Sequence, residues 1–88
     1  MGDKSYKPIA CGLHENYQYA VIKGRLLDLS WQADDGALHQ GRLLPVDVYT
    51  REGAEYLSAE TREGEALEIR LDRITQARWA ADGRLLDP

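Results

Sequence analysis

The spacing of hydrophobic positions changes once along the chain, at Gly24. Upstream, Leu13, Tyr17, Ala20 and Val21 fall at i, i+4, i+7 and i+8, one face of a helix, and predict a helix over 13–23. Gly24 is its expected stop. Gly12 carries no side-chain oxygen, so the helix start is expected to be poorly capped. Residues 1–12 read as an extended lead-in, because Pro8 biases Lys7 away from helix. Downstream the period is two. Leu27, Leu29 and Trp31 alternate with Asp28 and Ser30 and predict a strand over 25–33. Asp34-Asp35-Gly36 signals a hairpin back into a strand over 37–44. Gly41 within that strand suggests a bulge or a sharp bend, and Pro45 is expected to end it or to put it at an edge. A short extended piece at 46–49, a turn at 50–53 and a strand over 54–62 follow, with Tyr56 and Leu57 on opposite faces. Glu63-Gly64-Glu65 is a second hairpin turn. Leu67, Ile69 and Leu71 then point inward from a strand over 66–71. A corner at 72–75, a last strand over 76–81 and a tail over 82–88 complete the chain. The expected fold is mainly β: one domain, 1–88, with a small barrel of about five strands over 25–81 behind an N-terminal helix.

Composition narrows the function. With 88 residues, 43% hydrophobic and 30% charged, the chain has the make-up of a soluble globular domain with one modest core. It lacks the roughly 18 consecutive apolar residues of a membrane span. MGDKSYKP has no apolar run, so no secretory signal is expected. The net charge of −4 is concentrated: residues 52–68 hold six glutamates against Arg62 alone. Such a field repels phosphate backbones and attracts basic protein surfaces.

Catalytic and metal signals are missing from the sequence. The single Cys11 cannot form an internal disulfide and is expected to be a small buried apolar side chain. His14 and His39 have no partners at zinc-ligand spacing, so no metal or cofactor is expected. Asp34-Asp35 reads as turn chemistry rather than an acid–base pair. No P-loop, nucleophile elbow or nucleophile with a recognisable base is present, and no enzyme is read. Trp31 shares the Leu27/Leu29 face and is expected in the core. Of Tyr17 and Tyr19, on different helix faces, one is expected in the core and the other free for a partner.

Two motifs carry a resemblance. Tyr6-x-Pro8-Ile9-x-Cys11, followed by a short polar helix with Glu15-Asn16, is the first. Glu55-Tyr56-Leu57, followed by Glu68-x-Arg70-Leu71-Asp72-Arg73-Ile74-Thr75, is the second. In this order and spacing, over roughly residues 6–77, the sequence resembles the Rho-binding antiterminator (Rof) family. It departs from the family pattern at Gly12 and Leu13, and at Gln18, where a carboxylate is expected. The resemblance implies an Sm-like barrel preceded by a helix, in a bacterial cytoplasmic protein. It implies binding to the Rho termination helicase near its primary RNA-binding site, obstruction of RNA loading and inhibition of Rho-dependent termination, with no direct nucleic-acid or membrane partner. Carried over position by position, the partner-binding residues are His14, Glu15, Asn16 and Gln18 on the helix. Thr50, Arg51 and Glu52 join them from the turn before Glu55. Two other readings are open: an Sm-like RNA-binding module using Arg70, Arg73, Arg78 and Arg84, and an acidic adaptor for a different protein.

Overall fold

The computed structural model describes residues 9–87. Tyr6 and Pro8 of the first motif, and most of the extended lead-in, lie outside the described residues. Helix α1 runs Cys11–Lys23, beginning two residues before the expected start. No side chain caps it; the amide of His14 donates to the carbonyl of Ala10 at 3.0 Å. Its end follows the sequence signal. Gly24 adopts the left-handed conformation (φ 66°) that closes a helix, and the amide of Arg25 reaches back to the carbonyl of Ala20 at 2.9 Å. Tyr17 and Ala20 are buried, with Leu13 and Val21 packed beside them, as the stripe predicts. Cys11 is not buried but exposed. Two residues upstream of Leu13, it sits about 160° round the helix from that residue, away from the apolar stripe.

Five strands follow: β1 (Leu27–Gln32), β2 (Leu38–Arg51), β3 (Ala54–Glu60), β4 (Ala66–Arg70) and β5 (Ile74–Trp79). They form one antiparallel sheet in the order β4-β3-β2-β1-β5. The mainly β fold behind a helix is therefore as the sequence predicts. The barrel is only approached. β4 and β5 are the two outer strands of the sheet, and a short 3₁₀ turn, Leu71–Arg73, joins them where closure would require a ladder.

β2 makes the curvature. Its first half pairs with β1, from Leu38 opposite Gln32 to Leu43 opposite Leu27, and its second half pairs with β3. Pro45 is expected to end this strand or to put it at an edge; β2 runs through it, but Pro45 pairs only with Ala59 of β3, the β1 ladder having ended at Leu43. The register slips between Pro45 and Asp47, leaving Val46 as the bulged residue, and the missing proline N–H is accommodated there. Gly41 causes no bulge; it stays in register opposite Leu29. The tail also departs from expectation. It folds back on β5: the Leu86 amide donates to Ala77 at 3.0 Å, Arg84 accepts from the Trp79 amide at 2.9 Å, and Leu86 is buried. This covers the outer edge of β5, which would otherwise present unpaired backbone.

The core lies between α1 and the concave side of the sheet, built from Tyr17, Leu27, Leu29, Leu57 and Leu71. Trp31 is only half-buried and stacks on the exposed His39, with ring centroids 5.7 Å apart. Burial pushes the Tyr17 phenol up from 10.0 to about 12. The folded state thus holds this proton more tightly than the unfolded chain. That contribution is complete below pH 10 and is lost as pH rises towards 12. Stability should therefore fall with rising pH across this window. Urea unfolding on either side of pH 10 checks it: the Tyr17→Phe variant is expected to lose visibly less stability at high pH than the unmodified chain.

Candidate functional site

The residues singled out from the sequence come from α1 and from the β2–β3 hairpin, and one contact joins the two segments. His14, in the first turns of α1, places Nε2 3.1 Å from Oε2 of Glu55 in β3. Glu55 stands opposite Thr50 in the ladder, so the helix is fastened beside the hairpin. Gln18 lies one turn after His14 and Glu15 projects outward next to both; Glu15 and Gln18 are exposed. These three helix residues and the hairpin therefore share one polar surface.

The hairpin itself is tighter than predicted. Thr50 and Arg51 remain in β2, and only Glu52-Gly53 makes the turn, with φ of 52° and 81°. Two consecutive positive φ values suit the twist of the flanking strands. Glycine adopts such a conformation freely, whereas for a glutamate it costs about 1–2 kcal/mol. Arg51 is fixed by three contacts: its Nη1 and Nη2 donate to Glu68 at 3.1 and 2.9 Å, and its guanidinium lies 4.7 Å over the Tyr56 ring. Tyr56 in turn stacks on Tyr49, centroids 5.8 Å apart. The hairpin thus presents a preorganised arginine–aromatic stack beside the exposed carboxylate of Glu52.

Asn16 is not part of this surface. It lies on the other flank of α1, where its amide donates to the backbone carbonyl of Asp87. Sequence reasoning in turn left out Glu55 and Tyr56. Both belong to the second motif, and each faces a β2 residue across the hairpin, Thr50 and Tyr49. Nor do the arginines required by an RNA-binding reading converge. Arg70 is bound to Asp72 at 2.7 Å, and Arg73 reaches Asp34 and the carbonyl of Ala33. Arg78, in β5, and Arg84, past the turn that follows it, lie apart from that pair, and Arg78 donates to the Gly83 carbonyl at 2.8 Å. Among the described residues no group of three or more His, Cys, Asp or Glu side chains is placed to hold a metal ion, and no helix is long and apolar enough to cross a membrane.

The architecture is a five-stranded antiparallel sheet behind one helix, with a polar helix–hairpin surface. No family model matches the chain, and no curated protein matches it. Among solved structures it is similar to part of the proteasome accessory factor B/C (PafBC) of Arthrobacter aurescens, with a TM-score of 0.69 and 18% sequence identity. The match covers 91% of this chain but 13% of that one, so the chain spans a small fraction of PafBC. At this identity the likeness concerns the fold alone.

Proposed function

We propose that this chain is a non-enzymatic inhibitor of Rho-dependent transcription termination. It binds the Rho helicase near its primary RNA-binding site in the bacterial cytoplasm and obstructs RNA loading. The reading is carried by the resemblance of its two motifs, taken in register, to the Rho-binding antiterminator family. The contact between His14 and Glu55 supports it, since each residue comes from one of the two motif segments. Electrostatics agree: exposed carboxylates at Glu15 and Glu52 suit a basic surface evolved for RNA phosphates. The left-handed conformation of Glu52 is a further support, because strained backbone is commonly retained where a side chain has work to do.

In a purified transcription system, added protein is expected to restore read-through of a Rho-dependent terminator and to leave an intrinsic terminator unchanged. Read-through that stays absent as the protein is raised to saturation overturns the reading. By itself the protein should bind single-stranded RNA weakly at physiological salt, because its charge of −4 opposes phosphate. Submicromolar RNA affinity with a steep salt slope would instead favour an RNA-binding module.

A further inference from the structure

Away from the helix–hairpin surface, exposed apolar side chains gather in one place. Tyr19, Leu26 and Leu85, each about half exposed, line a cleft of about 610 Å³ between the end of α1, the start of β1 and the folded-back tail. Trp79 also lines it, met edge to face by Tyr19 at a centroid distance of 6.0 Å. At Leu26 and Arg42 the cleft adjoins a groove of about 940 Å³ across the outer face of β1, β2 and β5, where Leu44 adds a further exposed apolar side chain. The two share Leu26 and Arg42 in their lining and so form one open trench.

The lining of this trench is richer in arginine than the rest of the chain: five of the eight arginines stand there against Asp28, Glu60, Asp82 and Asp87, a net of +1 on a chain of −4. Arg42 is occupied by Asp28, at 2.8 and 3.1 Å, and Arg78 by the carbonyl of Gly83. Arg25, Arg62 and Arg84 have no ion-pair partner among the described residues. Free guanidiniums bordering exposed leucines and an aromatic pair call for apolar groups and discrete carboxylates on one ligand. A nucleic-acid strand fits less well. Asp28, Glu60, Asp82 and Asp87 interrupt the arginines and oppose a continuous phosphate backbone, and the aromatic rings in the lining are the single pair Tyr19 and Trp79, already packed edge to face on each other.

We infer that this trench docks an extended acidic peptide segment of a partner protein, seating its apolar side chains against Tyr19, Leu26, Trp79 and Leu85 and its carboxylates on Arg25, Arg62 and Arg84. Asn16 and Asp87 border the trench, whereas His14 and Glu55 lie on the opposite flank of α1, so the inference is independent of Rho binding. One domain can then hold a basic surface on one side of its helix and an acidic segment on the other.

Selection of a random-peptide phage library on the full chain tests this. The enriched synthetic peptide is then titrated against variants. Peptides with Asp or Glu beside Leu, Phe or Trp are expected. Leu26→Asp, and separately the double change Arg25→Glu with Arg84→Glu, should each weaken binding by about tenfold or more. The double variant touches only exposed side chains and keeps the test decisive where Leu26→Asp impairs folding. With Trp31→Phe, Trp79 is the sole tryptophan and its fluorescence should change on binding. No enrichment, enrichment of basic peptides, or unchanged affinity in the double variant overturns the inference. Displacement of the peptide by an equal concentration of poly(U) overturns it in favour of RNA.

Discussion

Alanine in place of Leu57 is expected to destabilise the fold by about 2–5 kcal/mol, the cost of deleting a fully enclosed leucine side chain. Leu57 is 0% exposed. It sits in β3 with Val48 of β2 and Ile69 of β4 as its ladder neighbours, where the two halves of the curved sheet share one core. A chain of 88 residues buries a modest fraction of its surface, and total stability for such domains is of order 5–15 kcal/mol. The loss therefore takes a large share of what holds the molecule folded. Urea titration gives the measurement. Leu38→Ala is the matched control, since Leu38 is 73% exposed at the β1–β2 hairpin and its loss should fall within about 0.5 kcal/mol of zero. Equal losses at the two positions would mean that β3 is not at the centre of the core.

That contrast follows from what the sequence makes visible. The alternation around Leu57, the helical stripe ending at Gly24 and the turn at Asp34-Asp35-Gly36 are local signals, and these three elements lie where their signals fall; the last strand, expected over 76–81, instead runs Ile74–Trp79, so the corner before it is shorter than expected. Features that depend on distant residues were not legible. Pro45 reads as a strand end or an edge position, because the slip that lets β2 continue past it depends on β3 opposite. Leu86 sits in what reads as a tail, and only its pairing with Ala77 makes it part of the core. Cys11 follows from helix phase once the helix start is known, but that start carries no capping residue to mark it. The candidate surface behaves in the same way. The motifs name the helix and the hairpin, whereas the His14–Glu55 contact that unites them, and the separation of Asn16 from the rest, are products of tertiary packing.

The second large effect concerns the partner. Glu15→Lys is expected to weaken binding to Rho by about 2–5 kcal/mol if Glu15 forms a desolvated pair with a Rho cation, because the reversal leaves like charges facing each other. At roughly 1.4 kcal/mol per tenfold, this is a loss of more than an order of magnitude in affinity. Glu63→Lys makes the same change in net charge in the β3–β4 turn, away from α1, and Glu63 is exposed as Glu15 is. Any general effect of charge on encounter is then common to both variants and falls with added salt. The difference between them isolates the contact.

The most direct measurement is the titration of purified Rho with the unmodified chain, Glu15→Lys and Glu63→Lys, each with and without RNA competing for the primary site. The account predicts that the unmodified chain and Glu63→Lys bind and are displaced by RNA, with Glu15→Lys binding at least an order of magnitude more weakly. Equal losses in the two variants would move the interface off the helix, and no binding by the unmodified chain would contradict the proposed function.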